Sequence, residues 1–149
     1  MFKDILLPVD LQENLASEKA AAVARDFVER CNSKITVMTV IPDFGLPLVA
    51  GYFPDDAMQE AKKDVCKELK RFVETHFTVH AVVKTEVCQG SPHKMILRYA
   101  QNHSTDLIVL PARAKDVSKI FLGSSSTQVV ERAPCSVLVV RPETALEDF

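Results

Sequence analysis

The chain has no excess of either charge and no long apolar segment, and both absences limit its possible partners. It carries 18 Lys and Arg against 20 Asp and Glu, a formal net charge of −2, so nothing indicates binding to nucleic acid or to an anionic membrane. No segment approaches the ~20 consecutive apolar residues that span a bilayer. Asp4 and Asp10 interrupt the N-terminal stretch, where a secretory signal needs an unbroken apolar run. We therefore expect a cytoplasmic protein with no nucleic-acid partner and no membrane partner.

Cysteine and histidine motifs are also missing. The four histidines show no HExxH or other metal-ligand spacing, so we predict no metal site. The cysteines include no CxxC pair, which argues against a zinc ribbon and against a thioredoxin-like redox site. We expect all four to be reduced and mostly buried: Cys31, Cys66, Cys88 and Cys135.

What the sequence does have is a regular alternation of two hydrophobic periodicities. Apolar runs rich in β-branched residues alternate with segments of helical spacing, which predicts a parallel sheet with right-handed crossovers and helices on both faces. The first two runs are nearly continuous, as in strands covered on both faces. We predict a single domain over residues 1–142 and a short tail at 143–149. The predicted strands are residues 2–9, Lys34–Ile41, Val79–Val87, Asp106–Leu110 and Ser136–Val140.

Three local signals lie between these strands. Ser91 and Pro92 are typical of an N-cap and a first helical position. Ser125 and Gln128 have the spacing of a capping box. The segment from Pro42 to Asp56 is long for a loop between a strand and a helix, and its composition favours a mobile surface loop over a lid or a dimer contact.

The predicted sheet also nominates a ligand site. In doubly wound sheets ligands bind beyond the carboxyl ends of the strands, where the strand order reverses. This rule selects Asp10 after the first strand, Val40 and Ile41 at the end of the second, and the loop after Leu110. Asp10 has two possible roles, contact with a ligand or a bond to the neighbouring loop and helix start, and both stay open.

Three stretches, taken in order, resemble the universal stress protein family. They are ILLPVD at residues 5–10, GSPHKMILRYAQNHSTDLIVL at 90–110 and FLGSSSTQVVERAPCSVLVVR at 121–141. The resemblance extends from Phe2 to Arg141. It implies a three-layer α/β/α, Rossmann-like fold in a single domain, with a five-stranded parallel sheet in the order 3-2-1-4-5. It also implies a stress-response function.

The resemblance weakens at the segment that would hold phosphate. Family members that bind ATP have Gly-x-x-Gly, nine residues, and then Gly-Ser or Gly-Thr after the fourth strand. Here Pro111 and Ala114 occupy the first two glycine positions, eight residues separate Ala114 from Gly123, and only Gly123-Ser124 matches. Proline has no N–H to donate, and alanine in a left-handed conformation costs ~1–2 kcal/mol. We therefore expect weak binding of ATP or AMP at most.

The remaining candidate positions follow from the resemblance. Asp10 matches a residue near the nucleotide, and Val40 matches one that lines the adenine pocket. The serines after Gly123 give a helix N-terminus that can bind an anion, and Arg113, with Lys115 and Lys119, can supply positive charge to a phosphate. The alternatives are that the serines serve only the helix and that the basic residues form a solvated loop. The candidate nucleotide-binding residues are Pro8, Asp10, Val40, Arg113, Gly123, Ser124 and Ser125.

Motifs of enzymes with similar architecture are absent. A phosphoacceptor receiver domain needs an acid after strand three and a lysine after strand five, but these places hold Val87-Cys88-Gln89 and Arg141. An ATP pyrophosphatase needs a Ser-Gly-Gly-x-Asp-Ser loop after strand one, which is missing. We therefore predict a non-catalytic stress protein that binds an adenine nucleotide weakly. The alternative is an ATP-binding stress protein that acts as a nucleotide-dependent switch.

The resemblance also implies a homodimer, because family members pair their last strand with its copy in a second subunit. In the order 3-2-1-4-5 this strand lies at a sheet edge, where its N–H and C=O groups lack a partner. Pro134 and Arg141 protect only its two ends. Two-fold pairing would satisfy both edges at once. The contact would consist of Val137, Leu138, Val139 and Val140.

Overall fold

The structure is a computed structural model that describes residues 1–42, 55–78, 80–112, 114–116, 119–120 and 123–141. Strands and helices alternate along it. In chain order they are β1 Asp4–Pro8, α1 Asn14–Cys31, β2 Lys34–Ile41, α2 Asp55–His76, β3 Val83–Gln89, α3 Pro92–Asn102, β4 Leu107–Pro111, β5 Ala114–Asp116, β6 Lys119–Ile120, α4 Ser124–Arg132 and β7 Ser136–Val140.

Five strands form one parallel sheet in the order β3-β2-β1-β4-β7. Counted within this sheet, the order is the predicted 3-2-1-4-5. From the central strand β1 the chain adds β2 and β3 on one side of the sheet, and then β4 and β7 on the other side. The order therefore reverses between β1 and β4, and their carboxyl ends define the place where such a fold binds ligands.

Two apolar layers cover the sheet. On one face, α1 and α2 pack over a core that contains Leu7, Val37 and Val109. On the other face, α3 and α4 pack over a second core that contains Leu6 and Ile108. Because β1 contributes to both cores it is buried almost throughout, which accounts for its nearly continuous apolar sequence.

Some predicted boundaries are wrong. The first strand covers Asp4–Pro8 rather than residues 2–9. The third begins at Val83 rather than Val79, because the N–H of Ala81 bonds to the C=O of Thr78 in a turn just before it, at 3.1 Å.

The basic segment after β4 was predicted as a loop. Its described residues instead form the short antiparallel pair β5 and β6. Two other predictions, for the loop from Pro42 to Asp56 and for the tail at 143–149, fall on residues 43–54 and 142–149, which lie outside the described residues.

Candidate functional site

Asp10 is held in the turn that joins β1 to α1. Its N–H donates to the Ser17 hydroxyl at 3.0 Å, and that hydroxyl donates to the Asp10 C=O at 3.2 Å. The Oδ1 atom of Asp10 accepts the N–H of Gln12 at 3.0 Å. Asp10 is half-buried and shapes the entry to the helix, which is one of the two roles predicted for it. Its contact with a ligand stays a prediction.

Two buried polar side chains that support this turn were not found from the sequence. Ser17 is 1% exposed, and Thr39 is 6% exposed and donates its hydroxyl to the C=O of Val9 at 3.0 Å. The only signal for Ser17 was its place on the helix face that continues through Ala20 and Ala24, where a polar residue needs an internal partner. No comparable signal marks Thr39, because threonine is common in strands.

The helix N-terminus predicted to bind an anion is present. Gly123 precedes α4 with φ 77° and ψ 157°, a conformation that is essentially restricted to glycine. Ser124 is exposed, and Ser125 and Ser126 are half-buried in the first turn. The C=O of Gly123 accepts the N–H and the hydroxyl of Thr127 at 3.0 and 2.8 Å. No side chain caps this terminus.

The predicted capping box at this helix is wrong. The helix begins at Ser124 with Gly123 as its N-cap, so Ser125 lies inside the first turn. Gln128 cannot then reach back to a serine N-cap. Its Oε1 atom is buried and has no hydrogen-bond donor among the described residues.

At α3 the predicted positions are confirmed, but the predicted bond is not formed. Ser91 is the N-cap and Pro92 the first helical residue. The Ser91 hydroxyl lies 3.2 Å from Nδ1 of His93 rather than on a backbone N–H. The backbone C=O of Ser91 accepts the N–H of Met95 at 3.0 Å and begins the helix without a side-chain cap.

Between β4 and α4 the described backbone is already committed to other contacts. Pro111 ends β4 opposite Val140 and has no N–H. Ala112 is fully buried, and its N–H donates to the C=O of Val140 at 2.9 Å. Ala114 lies in β5, opposite Ile120. Pro111 and Ala112 therefore offer no backbone donor to a phosphate.

Arg113 lies outside the described residues, so its predicted charge contribution stays a prediction. Pro8 and Val40 are both placed at the carboxyl edge of the sheet. Pro8 ends β1, is buried and lies opposite Met38. Val40 is half-buried, lies opposite Cys88 and packs against the core beneath α3 and α4. The topology thus brings Pro8, Asp10 and Val40 to one edge, where α4 also begins.

The four thiols are free and half-buried, not mostly buried as predicted. Burial raises the pKa of Cys88, and Glu86 raises it further while Lys62 lowers it. Burial also raises the pKa of Cys135, with a second contribution from Asp106. Both groups stay protonated to higher pH than an ordinary thiol, which makes them poor nucleophiles.

Over the described ranges, no group of three or more His, Cys, Asp or Glu side chains could hold a metal ion. Within the same part of the chain, no helix is long and apolar enough to cross a membrane.

The fold and this edge define a class of protein, a doubly wound α/β domain with its candidate site at the carboxyl ends of a parallel sheet. Comparison with known proteins narrows the class. The sequence model of the universal stress protein family matches residues 1–141. The chain belongs to the universal stress protein family.

Individual relatives agree with this assignment. A universal stress protein of Thermus aquaticus is 31% identical over 147 residues, which cover 95% of this chain and 100% of the relative. The solved structure of universal stress protein UspA from Lactobacillus plantarum is 32% identical, with a TM-score of 0.73, and the match covers 94% of this chain and 98% of the other.

Two more distant structures hold nucleotides. A universal stress protein family protein from Arabidopsis thaliana contains AMP; it is 15% identical, with a TM-score of 0.65 and coverage of 95% and 92% of the two chains. Another universal stress protein is in complex with cAMP; it is 18% identical, with a TM-score of 0.59 and coverage of 94% and 97%. At these identities the likeness extends to the fold alone.

Proposed function

We propose that this universal stress protein binds an adenine nucleotide weakly at the carboxyl edge of its sheet and catalyses no reaction. The observation that carries the proposal is the contrast between the two ends of the segment joining β4 to α4. At its start, Pro111 has no N–H and Ala112 has donated its own to Val140. At its end, Gly123 opens a helix whose first turn carries exposed Ser124.

This contrast favours a nucleotide with few phosphates. A triphosphate needs a run of backbone N–H groups along the loop, whereas a single phosphate can be held by one helix N-terminus. The AMP and cAMP in the two distant family structures are ligands of this kind. In the proposed arrangement Pro8, Asp10 and Val40 surround the nucleoside, and Gly123, Ser124 and Ser125 hold the phosphate. Arg113 adds positive charge.

Calorimetry with AMP and with Mg-ATP tests the proposal. We expect Mg-ATP to bind with a Kd weaker than ~10 μM, about −6.8 kcal/mol, and AMP to bind at least as tightly as Mg-ATP. A submicromolar Kd for Mg-ATP would contradict the proposal and support the alternative of an ATP-dependent switch.

Two substitutions locate the site. Asp10→Asn removes the charge but keeps an oxygen for the N–H of Gln12, so the turn should persist, and Ser124→Ala removes one hydroxyl from the helix start. Each should weaken AMP binding at least threefold. Ser136→Ala, at the exposed start of β7 and at the opposite edge of the sheet, is the control and should leave it unchanged. Unchanged affinity in the first two variants would place the nucleotide elsewhere.

The absence of catalysis is a separate part of the proposal. The sequence has no Walker lysine, and the described residues contain no acidic cluster that would hold a metal at a transferring phosphate. We expect purified protein to hydrolyse ATP far more slowly than ~1 per second, the lower end of ordinary enzyme turnover. Faster turnover that survives further purification would overturn this part. A cytoplasmic location belongs to the same proposal and is supported by family membership alone.

We further propose a homodimer through β7. This strand is at the edge of the sheet, beside β4. Although β4 covers one side of it, residues Val137–Val140 are only half-buried. Their side chains alternate between the two cores: Leu138 and Val140 pack against one, Val137 and Val139 against the other. A second β7 would extend both cores and pair the open edge.

A further inference from the structure

A concave site lies at the edge of the sheet where the strands begin, opposite the candidate nucleotide site. It is a cavity of about 280 Å³ between the first residues of β1, β2 and β3 and the last turn of α3. We call it the amino-edge cavity. Its polar lining includes Lys34, Thr36, Lys84 and Tyr99. The candidate nucleotide site is at the other edge, so the two sites are independent.

The strand register explains why these side chains meet. Thr36 lies opposite Lys84, and Lys34 is two residues before Thr36, so all three point to the face covered by α3. Tyr99 of α3 meets them there. Its hydroxyl is 3.1 Å from the Thr36 hydroxyl, and Nζ of Lys84 lies 5.9 Å from its ring centre. His103 stacks on the same ring at 3.8 Å and 10°.

The paired hydroxyls leave a hydrogen-bond donor in the cavity. Thr36 and Tyr99 each have one O–H, and a bond between them uses only one of the two protons. Neither hydroxyl has another hydrogen-bond partner among the described residues. One O–H therefore remains available to an acceptor that enters between the lysines.

The charge of the lining favours an anion with a single charge. Neither Lys34 nor Lys84 forms an ion pair within the described part of the chain. The lining holds one carboxylate, Asp4, so two lysines leave a net charge of +1. A monoanion balances this charge, whereas a phosphate dianion exceeds it.

Exposed carbonyl groups at the C-terminal end of α3 would oppose an anion, but two carbonyls of its last turn have donors within the chain. The C=O of Tyr99 accepts the N–H of His103 at 3.0 Å and also its Nδ1, at 3.1 Å. Since a carbonyl cannot donate, Nδ1 carries the proton. The C=O of Ala100 accepts the N–H of Thr105 at 3.2 Å. These carbonyls are satisfied within the chain.

The rest of the lining is mostly apolar. Thr105 is the other polar residue of the lining, and the apolar residues are Ile5, Ile35, Val82 and Val83. Ile5, Ile35 and Val83 pack against the core on the other face of the sheet, whereas Val82 is 64% exposed, an unusual value for a large apolar side chain beside a cavity. An anion with an apolar body would cover this surface and place its charge near the lysines and the free O–H. We propose that the amino-edge cavity binds a small monocarboxylate with an apolar body.

Titration with sodium benzoate, followed by NMR of the labelled full-length chain, tests this site. We expect saturable shifts at Lys34, Lys84 and His103 with a Kd of ~1 mM or below. Benzyl alcohol has the same ring without the charge and should bind at least tenfold more weakly. Shifts that do not saturate, or equal binding of benzyl alcohol, would overturn the proposal.

Substitutions and a second anion sharpen the test. Lys34→Met with Lys84→Met keeps the apolar stems and should weaken benzoate binding at least tenfold. The matched control, Lys63→Met with Lys67→Met, changes two exposed lysines of α2 and should leave it unaltered. Inorganic phosphate that binds the cavity residues more tightly than benzoate would contradict the carboxylate assignment, and so would unchanged benzoate binding in the first variant.

Discussion

At the scale of single residues, the backbone conformation of Gly123 explains why a glycine precedes the helix of the candidate site. Its φ of 77° with ψ of 157° lies in a region that residues with a side chain essentially avoid. A Cβ atom added there would meet no atom within 4 Å, so the space around it is open. The requirement for glycine is therefore conformational and not steric.

Replacing this glycine should reveal that requirement. We expect Gly123→Ala to lower the free energy of unfolding by about 1–3 kcal/mol, because the alanine must either keep a strained backbone or move the start of α4. Urea denaturation with linear extrapolation measures the change. Ser124→Ala, one residue later at a helical position, is the control and should cost well under 1 kcal/mol. Equal stabilities of Gly123→Ala and wild type would show that the strained conformation is not populated.

At the scale of an element, α1 shows how small side chains set the distance between a helix and the sheet. Ala20, Ala21 and Ala24 are completely buried against the first core. No larger residue interrupts this face between Ser17 and Val28, so the helix axis can approach the strands closely.

Neighbouring alanines of α1 provide a matched test. Ala21 is fully buried and Ala22 is exposed, yet both lie in the same turn. We expect Ala21→Leu to destabilise the fold by about 1–3 kcal/mol through overpacking. Ala22→Leu should change stability by less than 0.5 kcal/mol, since alanine and leucine differ little in helix propensity. Thermal and urea denaturation would measure both. A neutral Ala21→Leu would mean that α1 does not rest on the sheet as described.

Elements also show what the sequence could and could not predict. The strands β2 and β7 were predicted to the residue, because their nearly continuous apolar runs rich in β-branched residues leave little alternative. The edge strand β3 was placed four residues early, since Val79 to Val82 are as β-prone as the strand itself and a turn decides its start. The strands β5 and β6 were not predicted, because three and two residues are too few to show a hydrophobic periodicity.

The candidate site was predicted in part for similar reasons. Strand order fixed which edge holds Pro8, Asp10 and Val40. The helix start near Ser124 is confirmed, but the cap was predicted at Ser125 because serine is a favoured N-cap, whereas the structure has Gly123 in that place. The bond from Ala112 to Val140 joins residues distant in sequence, and no local pattern indicates it.

At the scale of the whole molecule, the backbone of β7 suggests a clean test of the dimer. The C=O of Val140 points to β4, where it accepts the N–H of Ala112. Successive residues of a strand direct their polar backbone groups to opposite sides, so those of Val139 point to the open edge. Val139→Pro removes one edge donor and leaves the bonds to β4 intact, a position where proline is tolerated.

Light scattering should then separate the variants. We expect wild type and Val139→Ala at twice the subunit mass of 16.6 kDa, and Val139→Pro at 16.6 kDa, with circular dichroism as the check that all three are folded. A wild-type mass near 16.6 kDa would contradict the dimer. A dimeric Val139→Pro would place the contact on another surface.

The hydrogen bond between Ala112 and Val140 has a thermodynamic consequence for both the proposed nucleotide site and the proposed dimer. It ties the segment beside the proposed phosphate site to the last residue of the proposed dimer edge. A movement of Ala112 on nucleotide binding would strain or break this bond to Val140. Linkage then requires that the factor by which AMP strengthens or weakens subunit association equals the factor by which association changes AMP affinity. Subunit exchange, measured with and without AMP, would reveal the proposed nucleotide binding as a change of assembly.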